Sequence, residues 1–578
     1  MGKLLRINMS TLSATMEETP EAYRGLGGRG LTSMVVAKEV IPTCEPLGKH
    51  NKLVIAPGIL SGTNAANSGR LSIGLKSPLT GGIKESNVGG TAAYRIGRLG
   101  IGAIVIEGLP EQGKLYILHV MKDGGKLIPA DEYRGMKNYE LAEKLQKKYG
   151  EKAAILSIGP VGEMRLPTAT VAATDPEGHP ARHAGRGGSG AVMGSKGLKA
   201  IVIDDSDGPG IPIADPARFK EGARKFAKAL QEHPETGQGL KLYGTAGIAS
   251  LINASGAYPT RNFSAGTFEG IDKINGEYLY EVITKRGGKP SHVGCSLCII
   301  QCSNVYVDEK GNYITSAFEY ETIGLFGGNC GISDLDIIAR ADRLCDDYGM
   351  DTMEMGAAIG VAMEAGVKTF GDGNGLLELL EEVGKGTPLG RIIGSGAWSV
   401  GRAFGVTRVP VVKKQGISMY EPRGIQGMGT TYATSPMGAD HTSGWVVNFN
   451  LAPMGGTLDP HKPDGQVDIS RTIQTITAGM DSTGLCMMVN MVIGGTPEGG
   501  QGFVEMMSGL YGKDFTFNDL VNIGKTVIRT EYNFNKAAGF TNADDRLPEF
   551  MKEEKLPPHN VSFTVSDEEL DSLWGELK

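Results

Sequence analysis

Short apolar runs recur through the first two hundred positions: KLVIAP (52–57), IGAIVIEG (101–108), LYILHV (115–120), AAILSIG (153–159) and LKAIVID (198–204). Glycine, proline or asparagine bounds each run, which predicts strands rather than helices. The break DDSDGPGIPIADP (204–216) marks a domain boundary. Beyond it the apolar spacing becomes helical. PARFKEGARKFAKALQEH (216–233), SDLDIIARADRLCDDYG (333–349), MEMGAAIGVAMEAG (353–366) and the span 375–405 all carry amphipathic stripes. Asp215 before Pro216 is the predicted N-cap of the first, Ser333 that of the second, and Gly349 the stop of the second. A second shift near 406–412 opens a Gly-, Met- and Thr-rich stretch that returns to helix. The pattern predicts an α+β chain in three parts, β-rich over 1–206 and mainly helical over 207–405 and 406–578. No repeat of fixed period is visible.

Charge narrows the partners. With 58 basic and 65 acidic residues the net charge is -7. No basic surplus exists to neutralise a phosphate backbone, so nucleic acid is not an expected partner. No apolar run reaches the 18 or so residues of a membrane helix, and MGKLLRINMSTL reads as a short strand rather than a signal peptide. A cytoplasmic location without membrane association is the expectation. Seven cysteines in 578 residues do not form a disulfide scaffold and fit a reducing compartment. Glycine is the anomaly: 86 residues, about twice the usual ~7%. Its clusters suit tight turns, or close approach of backbone to a large polar ligand.

The sharpest chemical signal is Cys295-Ser-Leu-Cys298-Ile-Ile-Gln-Cys302. Three thiols within eight residues can converge on zinc or an iron–sulfur cluster, given a fourth ligand. Cys44, Cys330, Cys345 and Cys486 are available; Cys345 lies in an apolar helical stripe and reads as a buried small hydrophobe, so Cys486, after a turn at a helix end, is preferred. Gly185, Gly187 and Gly190 match GxGxxG, but the preceding DPEGHPARHA is no strand, so the dinucleotide-binding context fails. The loops SGTNAANSGR (61–70) and KSPLTGGIKESNVGG (76–90) could hold phosphates or a heteroaromatic edge, or be plain loops. Asp346-Asp-Tyr-Gly349 and Asp481-Ser-Thr-Gly484-Leu485 share a D-x-x-G pattern. It suits either two similar ligand halves or two glycine-capped helix ends.

Together, in this order from GKLLRINMST to ADDRLPEF, these motifs, with GRGGSGAVMGSK, KSPLTGG and YATSPMGADH, make the chain resemble the aldehyde ferredoxin oxidoreductase family of tungsten–pterin enzymes. The resemblance implies an N-terminal domain of two β-sheets followed by two mainly α-helical domains. It implies tungsten, or molybdenum, on two pterins, Mg2+ bridging the pterin phosphates, and one [4Fe–4S] cluster on Cys295, Cys298, Cys302 and Cys486. Asp346 and Asp481 would accept hydrogen bonds from the pterins, with Leu485 among the contacting positions. Arg70 would lie between cluster and pterin, Asn87 and Gly89 would belong to a pterin loop, and Arg186 would contact a pterin phosphate. Glu321 and His441 match the acid–base positions, with Glu319 pointing oppositely on a strand. In some members Glu-x-x-His holds iron at a dimer interface; Arg340-Ala-Asp342-Arg343 stands here, so no iron is expected there and the family-type dimer is left open.

The implied reaction oxidises an aldehyde to a carboxylic acid. Four thiols serve one cluster, and Cys44, Cys330 and Cys345 cannot complete a second. Electrons would therefore pass to an external acceptor: ferredoxin, or an iron–sulfur subunit with or without a flavin subunit, in a homo- or hetero-oligomer. Two alternatives stay open, the active-site subunit of a tungsten benzoyl-CoA reductase, with Cys330 as a metal ligand, and a non-catalytic iron–sulfur electron-transfer protein.

Overall fold

A computed structural model describes residues 2–575. The N-terminal region forms two six-stranded sheets. The first contains Lys3–Asn8 (β1), Ser13–Glu17 (β2), Leu53–Pro57 (β3), Leu71–Lys76 (β4), Ile83–Val88 (β5) and Ile101–Glu107 (β6), in the order β2-β1-β6-β3-β4-β5. The second contains Tyr116–Met121 (β7), Gly124–Pro129 (β8), Ala154–Ser157 (β9), Val171–Ala173 (β10), Arg182–Ala184 (β11) and Leu198–Ile203 (β12), in the order β11-β10-β9-β12-β7-β8. Read from its other edge, the second sheet repeats the first.

The repeat extends to register. In each sheet one pair is parallel, β1 with β6 and β7 with β12, and each pair carries the same bulge. Lys3 faces Ile101 and Leu4 faces Ala103, skipping Gly102; Tyr116 faces Leu198 and Ile117 faces Ala200, skipping Lys199. The helices Gly28–Glu39 and Asn138–Tyr149 follow EAYRG (21–25) and DEYRG (131–135). One duplication held in strand pairing leaves few matching letters and no period.

The sheets pack face to face. Leu5, Ile7, Ile55 and Ile104 share a core with Leu118, Leu156, Ile201 and Ile203. The outer faces are covered as well: Leu31, Val35 and Val36 of one helix lie on Leu4, Val54 and Val105, and Leu141 and Leu145 of the other on Ile117, Ile155 and Val202. Strands buried on both faces need no alternation, which is why their sequences read as unbroken apolar runs.

The rest is mainly helical. Asp215 caps Pro216–Glu232 through Arg218 N–H at 3.0 Å. The cap of Leu335–Tyr348 is Asp334 rather than Ser333, and Gly349 ends that helix in the left-handed conformation. The span 375–405 divides into Gly373–Lys385, Pro388–Ile393 and Ala397–Phe404, because Gly386 and Gly396 take positive φ. The core runs past residue 405: Pro216–Glu232 lies against Pro497–Tyr511 so closely that a Cβ on Gly222 would come within 2.5 Å of Met506 N. A three-stranded sheet, Lys289–His292 (β13), Ser303–Val307 (β14) and Tyr313–Ser316 (β15), interrupts the helical part and carries the cysteine run between its first two strands. No single described helix is long and apolar enough to cross a membrane.

Candidate active site

The two D-x-x-G motifs end the helices Leu335–Tyr348 and Gln466–Thr483, and each end docks on one sheet of the N-terminal pair. Gly58, after β3, meets Gly484; Gly159, after β9, meets Tyr348 and Gly349. A Cβ would lie 2.0 Å from Gly484 N in the first case and 2.2 Å from the Tyr348 carbonyl oxygen in the second. Backbone faces backbone there, so only glycine fits.

An acid in the last turn of a helix sits at the negative end of the helix dipole, at a cost of roughly 0.3–1 kcal/mol. Asp346 and Asp481 both occupy that place, and each has donors facing it. Arg29 Nη1 lies 3.3 Å from Asp481, while its Nε and Nη2 bind the buried Glu531 at 2.9 and 2.8 Å. Burial pushes Asp481 up to about 6 although Arg29 opposes it. Burial, and then the Asp481 charge, pushes Glu85 of β5 up to about 7. Asn87 donates to Glu85 at 3.4 Å. At the other end His183 Nε2 is 3.0 Å from Asp346, the Tyr139 hydroxyl donates to it at 3.3 Å, and Thr315 reaches Asp342 at 2.7 Å. Burial, and then Asp346, pushes Asp342 well above the carboxylate range.

The cysteine run loops between β13 and β14 toward Cys486. Asn67 ties the two together: its N–H donates to the Leu297 carbonyl at 3.0 Å, its carbonyl accepts from Cys486 N–H at 3.0 Å, and its amide reaches Cys298 Sγ at 3.4 Å. Burial, and then the neighbouring Cys295, pushes the Cys298 thiol up to about 11; burial, and then Glu319, pushes Cys302 well up. The four thiols thus stand near one another, next to two guanidiniums. Arg70 Nη2 lies 3.7 Å from Cys486 Sγ, and its Nε is buried without a partner. Arg182 lies beside Cys295 and binds Glu319 at 3.3 Å. A buried guanidinium with an unused donor beside four thiols fits a bound polyanionic centre, which would also hold the thiols as thiolates. Gly89 is close by: a Cβ there would be 2.5 Å from Cys295 Sγ. Leu485 is buried behind the second D-x-x-G turn.

Glu321 and His441 converge. Glu321 stands in the first turn of the helix Tyr320–Phe326, with Glu319 as the preceding cap residue, so the strand geometry expected for this pair is corrected. Its sequence FEYETI alternates like a strand, and seven residues are too few for a helical period to register. Glu321 Oε2 accepts from Met419 N–H at 2.8 Å; Oε1 has no hydrogen-bond partner and faces His441 Nε2 at 3.4 Å. His441 Nδ1 meets the Ser418 hydroxyl at 3.2 Å. Next to it, burial would raise Asp440, but Lys84 and Arg186 override that and hold it at about 2.

One expectation changes, and one alternative loses support. Arg186 is buried, with all five N–H groups directed at protein acceptors: Asp351, Glu354, Ser418 and the carbonyls of Ala439 and Gly416. No donor remains for a phosphate. Cys330 is buried and donates to the carbonyls of Leu325 and Gly356, at 3.3 and 3.7 Å, in the helical core. Arg29, Arg182, His183, Glu85 and Glu531 were not singled out from the sequence. Only Glu531 left a trace there, as a charge on the apolar stripe Leu520, Val527, Ile528, Phe534.

The family model described as "Aldehyde ferredoxin oxidoreductase, N-terminal domain" matches residues 4–205, and that for its domains 2 and 3 matches residues 221–576. The chain is 34% identical to a tungsten-containing aldehyde ferredoxin oxidoreductase of Pyrococcus furiosus, covering 100% of this chain and 96% of that protein. A protein of the same description from Thermococcus kodakarensis is 34% identical over 96% of this chain and 92% of its own length. An aliphatic sulfonate oxidoreductase, WOR-like subunit, of P. furiosus is 28% identical over 76% of this chain and 75% of its own. Among solved structures, the active-site complex BamBC of benzoyl-coenzyme A reductase shares the fold, with a TM-score of 0.82 over 100% of this chain and 94% of its own at 18% identity. The chain therefore belongs to the aldehyde ferredoxin oxidoreductase family.

Proposed function

We propose that the protein is a tungsten-dependent oxidoreductase, molybdenum being the alternative metal, that converts aldehydes to carboxylic acids. In the reaction RCHO + H2O → RCOOH + 2 H+ + 2 e−, the metal–pterin group supplies the two-electron acceptor when bound. Asp346, Asp481, Asn87, Gly89 and Leu485 would contact the two pterins, with Mg2+ between their phosphates. Cys295, Cys298, Cys302 and Cys486 would hold a [4Fe–4S] cluster, with Arg70 and Arg182 balancing its charge. Electrons would leave singly to ferredoxin or to an iron–sulfur partner subunit, with or without a flavin subunit, in the cytoplasm.

The protein's own groups account for the protons. Met419 N–H fixes one Glu321 oxygen and leaves Oε1 free to take a proton from water. Arg186 donates to the Ser418 oxygen, which lets the Ser418 hydroxyl donate to His441 Nδ1. His441 then carries its proton on Nε2, where it can polarise a carbonyl oxygen.

The observation that carries this reading is the free Glu321 oxygen facing His441 in a chain that matches the family end to end. Aldehyde-dependent reduction of a viologen by anaerobically purified protein tests it. Glu321→Gln is expected to keep its metals and lose roughly 10²–10⁴-fold in kcat; near-normal kcat removes the role assigned to Glu321. The benzoyl-CoA reductase reading, favoured by the shared fold, would need a thiol at the metal, and Cys330 is committed to core carbonyls. Activity with benzoyl-CoA and none with aldehydes would reinstate it. Iron without tungsten or molybdenum, in metal-replete cells, would leave the non-catalytic electron-transfer reading.

A further inference from the structure

Three buried oxygens have no hydrogen-bond partner: Glu321 Oε1, the Tyr258 hydroxyl and the Tyr432 hydroxyl. The Tyr258 ring lies 6.1 Å from that of Tyr320, next to Glu321, and a chain of rings runs on from Tyr320 through Tyr420 to His441. The phenols come from distant segments, Tyr258 from the stretch after the helix Ala249–Ala254 and Tyr432 from the helix Gln426–Thr434. Both side chains are fully buried. Burial, and then the Glu321 charge, pushes both well above the ordinary tyrosine range, so both remain neutral donors.

The neighbours of these hydroxyls are already engaged. The Tyr320 hydroxyl donates to the Met419 carbonyl at 2.7 Å, and Ser418, beside Tyr432, is held between Arg186 and His441. Tyr258 is itself held firmly: its N–H bonds the Gly266 carbonyl at 2.8 Å, and its ring lies on Gly328, where a Cβ would come within 2.5 Å. Buried polar groups are normally paired. Two donors and a carboxylate oxygen left open around one acid–base pair describe a place for a ligand oxygen that accepts from both phenols.

We infer that Tyr258 and Tyr432 bind the substrate, their hydroxyls donating to the carbonyl oxygen of the aldehyde and to the carboxylate oxygens of the product beside Glu321. This rests on the aldehyde reading above and adds two residues to it.

Tyr258→Phe and Tyr432→Phe in the holoenzyme test it, because each removes only a hydroxyl, that of Tyr258 without a protein partner and that of Tyr432 beside the Ser418 hydroxyl. Both variants are expected to keep metal content and Tm at the wild-type level or slightly above. Each should lose about 10- to 100-fold in kcat/KM for the aldehyde. Calorimetric titration with benzoate and acetate should show weaker binding by a similar factor. Unchanged kcat/KM and carboxylate affinity in both variants would overturn the inference and assign the hydroxyls to trapped water. A fall in Tm or metal content that tracks the activity loss would overturn it too, since the hydroxyls would then be structural. A wild-type enzyme that turns over no aldehyde defeats the aldehyde reading alone; the carboxylate titration still decides for the phenols, and no carboxylate binding by wild type counts against them.

Discussion

Gly58 after β3 and Gly159 after β9 receive the same partner, the glycine-capped C-terminus of a helix, yet the charges gathered at the two junctions differ. At the first, Asp481 faces the fixed cation Arg29, with Glu531 behind it and Glu85 beside it. At the second, Asp346 faces His183, Tyr139 and Thr315, with Asp342, pushed up by burial, behind it. Strand order, bulge and glycine contact are duplicated; the polar groups are not. Backbone complementarity leaves little room for change, because a Cβ at either glycine meets main chain. Side chains around it can diverge. The result suits two ligand halves that share a shape and differ in their electrostatic surroundings, as two pterins of one metal centre would.

Breaking the permanent ion pair gives the largest expected effect on this comparison. Arg29→Ala leaves Glu531 buried and uncompensated and should destabilise the cofactor-free protein by about 3–5 kcal/mol, measured by urea denaturation. His183→Ala at the other junction should cost less, about 1–3 kcal/mol, through loss of its contacts to Asp346 and the Thr170 hydroxyl. Equal losses would mean the junctions are electrostatically alike.

The duplicated glycines come next. Gly58→Ala and Gly159→Ala should each cost about 1–3 kcal/mol through forced backbone shifts, and by similar amounts. A large loss in one and none in the other would break the structural equivalence.

A pH trend comes last, and at the first junction it has two sources. Glu85 at about 7 and Asp481 at about 6 keep protons that the unfolded chain releases near 4. The folded state therefore binds more protons across that interval, and stability present below about pH 4 is lost as pH rises toward 7. The cofactor-free protein should lose stability over that range, read as a fall in Tm. The double variant Glu85→Gln/Asp481→Asn should flatten the curve, and an unchanged slope would remove the pair as its source.

Much of this architecture was legible in the sequence for a physical reason. Strands buried on both faces, such as Leu53–Pro57 and Leu198–Ile203, keep continuous apolar runs, and the long amphipathic helices keep their stripe. The duplication was hidden because strand pairing is non-local and EAYRG and DEYRG are its main local trace. The four cysteines and both aspartates stood out as residues in motifs, whereas Glu321 and His441 came only with the family resemblance. Their surroundings did not. Arg182 and His183 are adjacent in sequence yet serve different places, Cys295 and Asp346, because neighbouring strand residues face opposite ways. Arg186 read as a phosphate ligand only until its five protein acceptors were located. Tyr258 and Tyr432 carry no motif at all; burial without a partner is what marks them.

Metal and pterin analysis of anaerobically purified protein tests the central claim most directly. Twin junctions beside a three-cysteine loop and Cys486 predict two pterins and one tungsten or molybdenum per chain, with about four irons. A single pterin per metal, or zinc on the thiols, would contradict it.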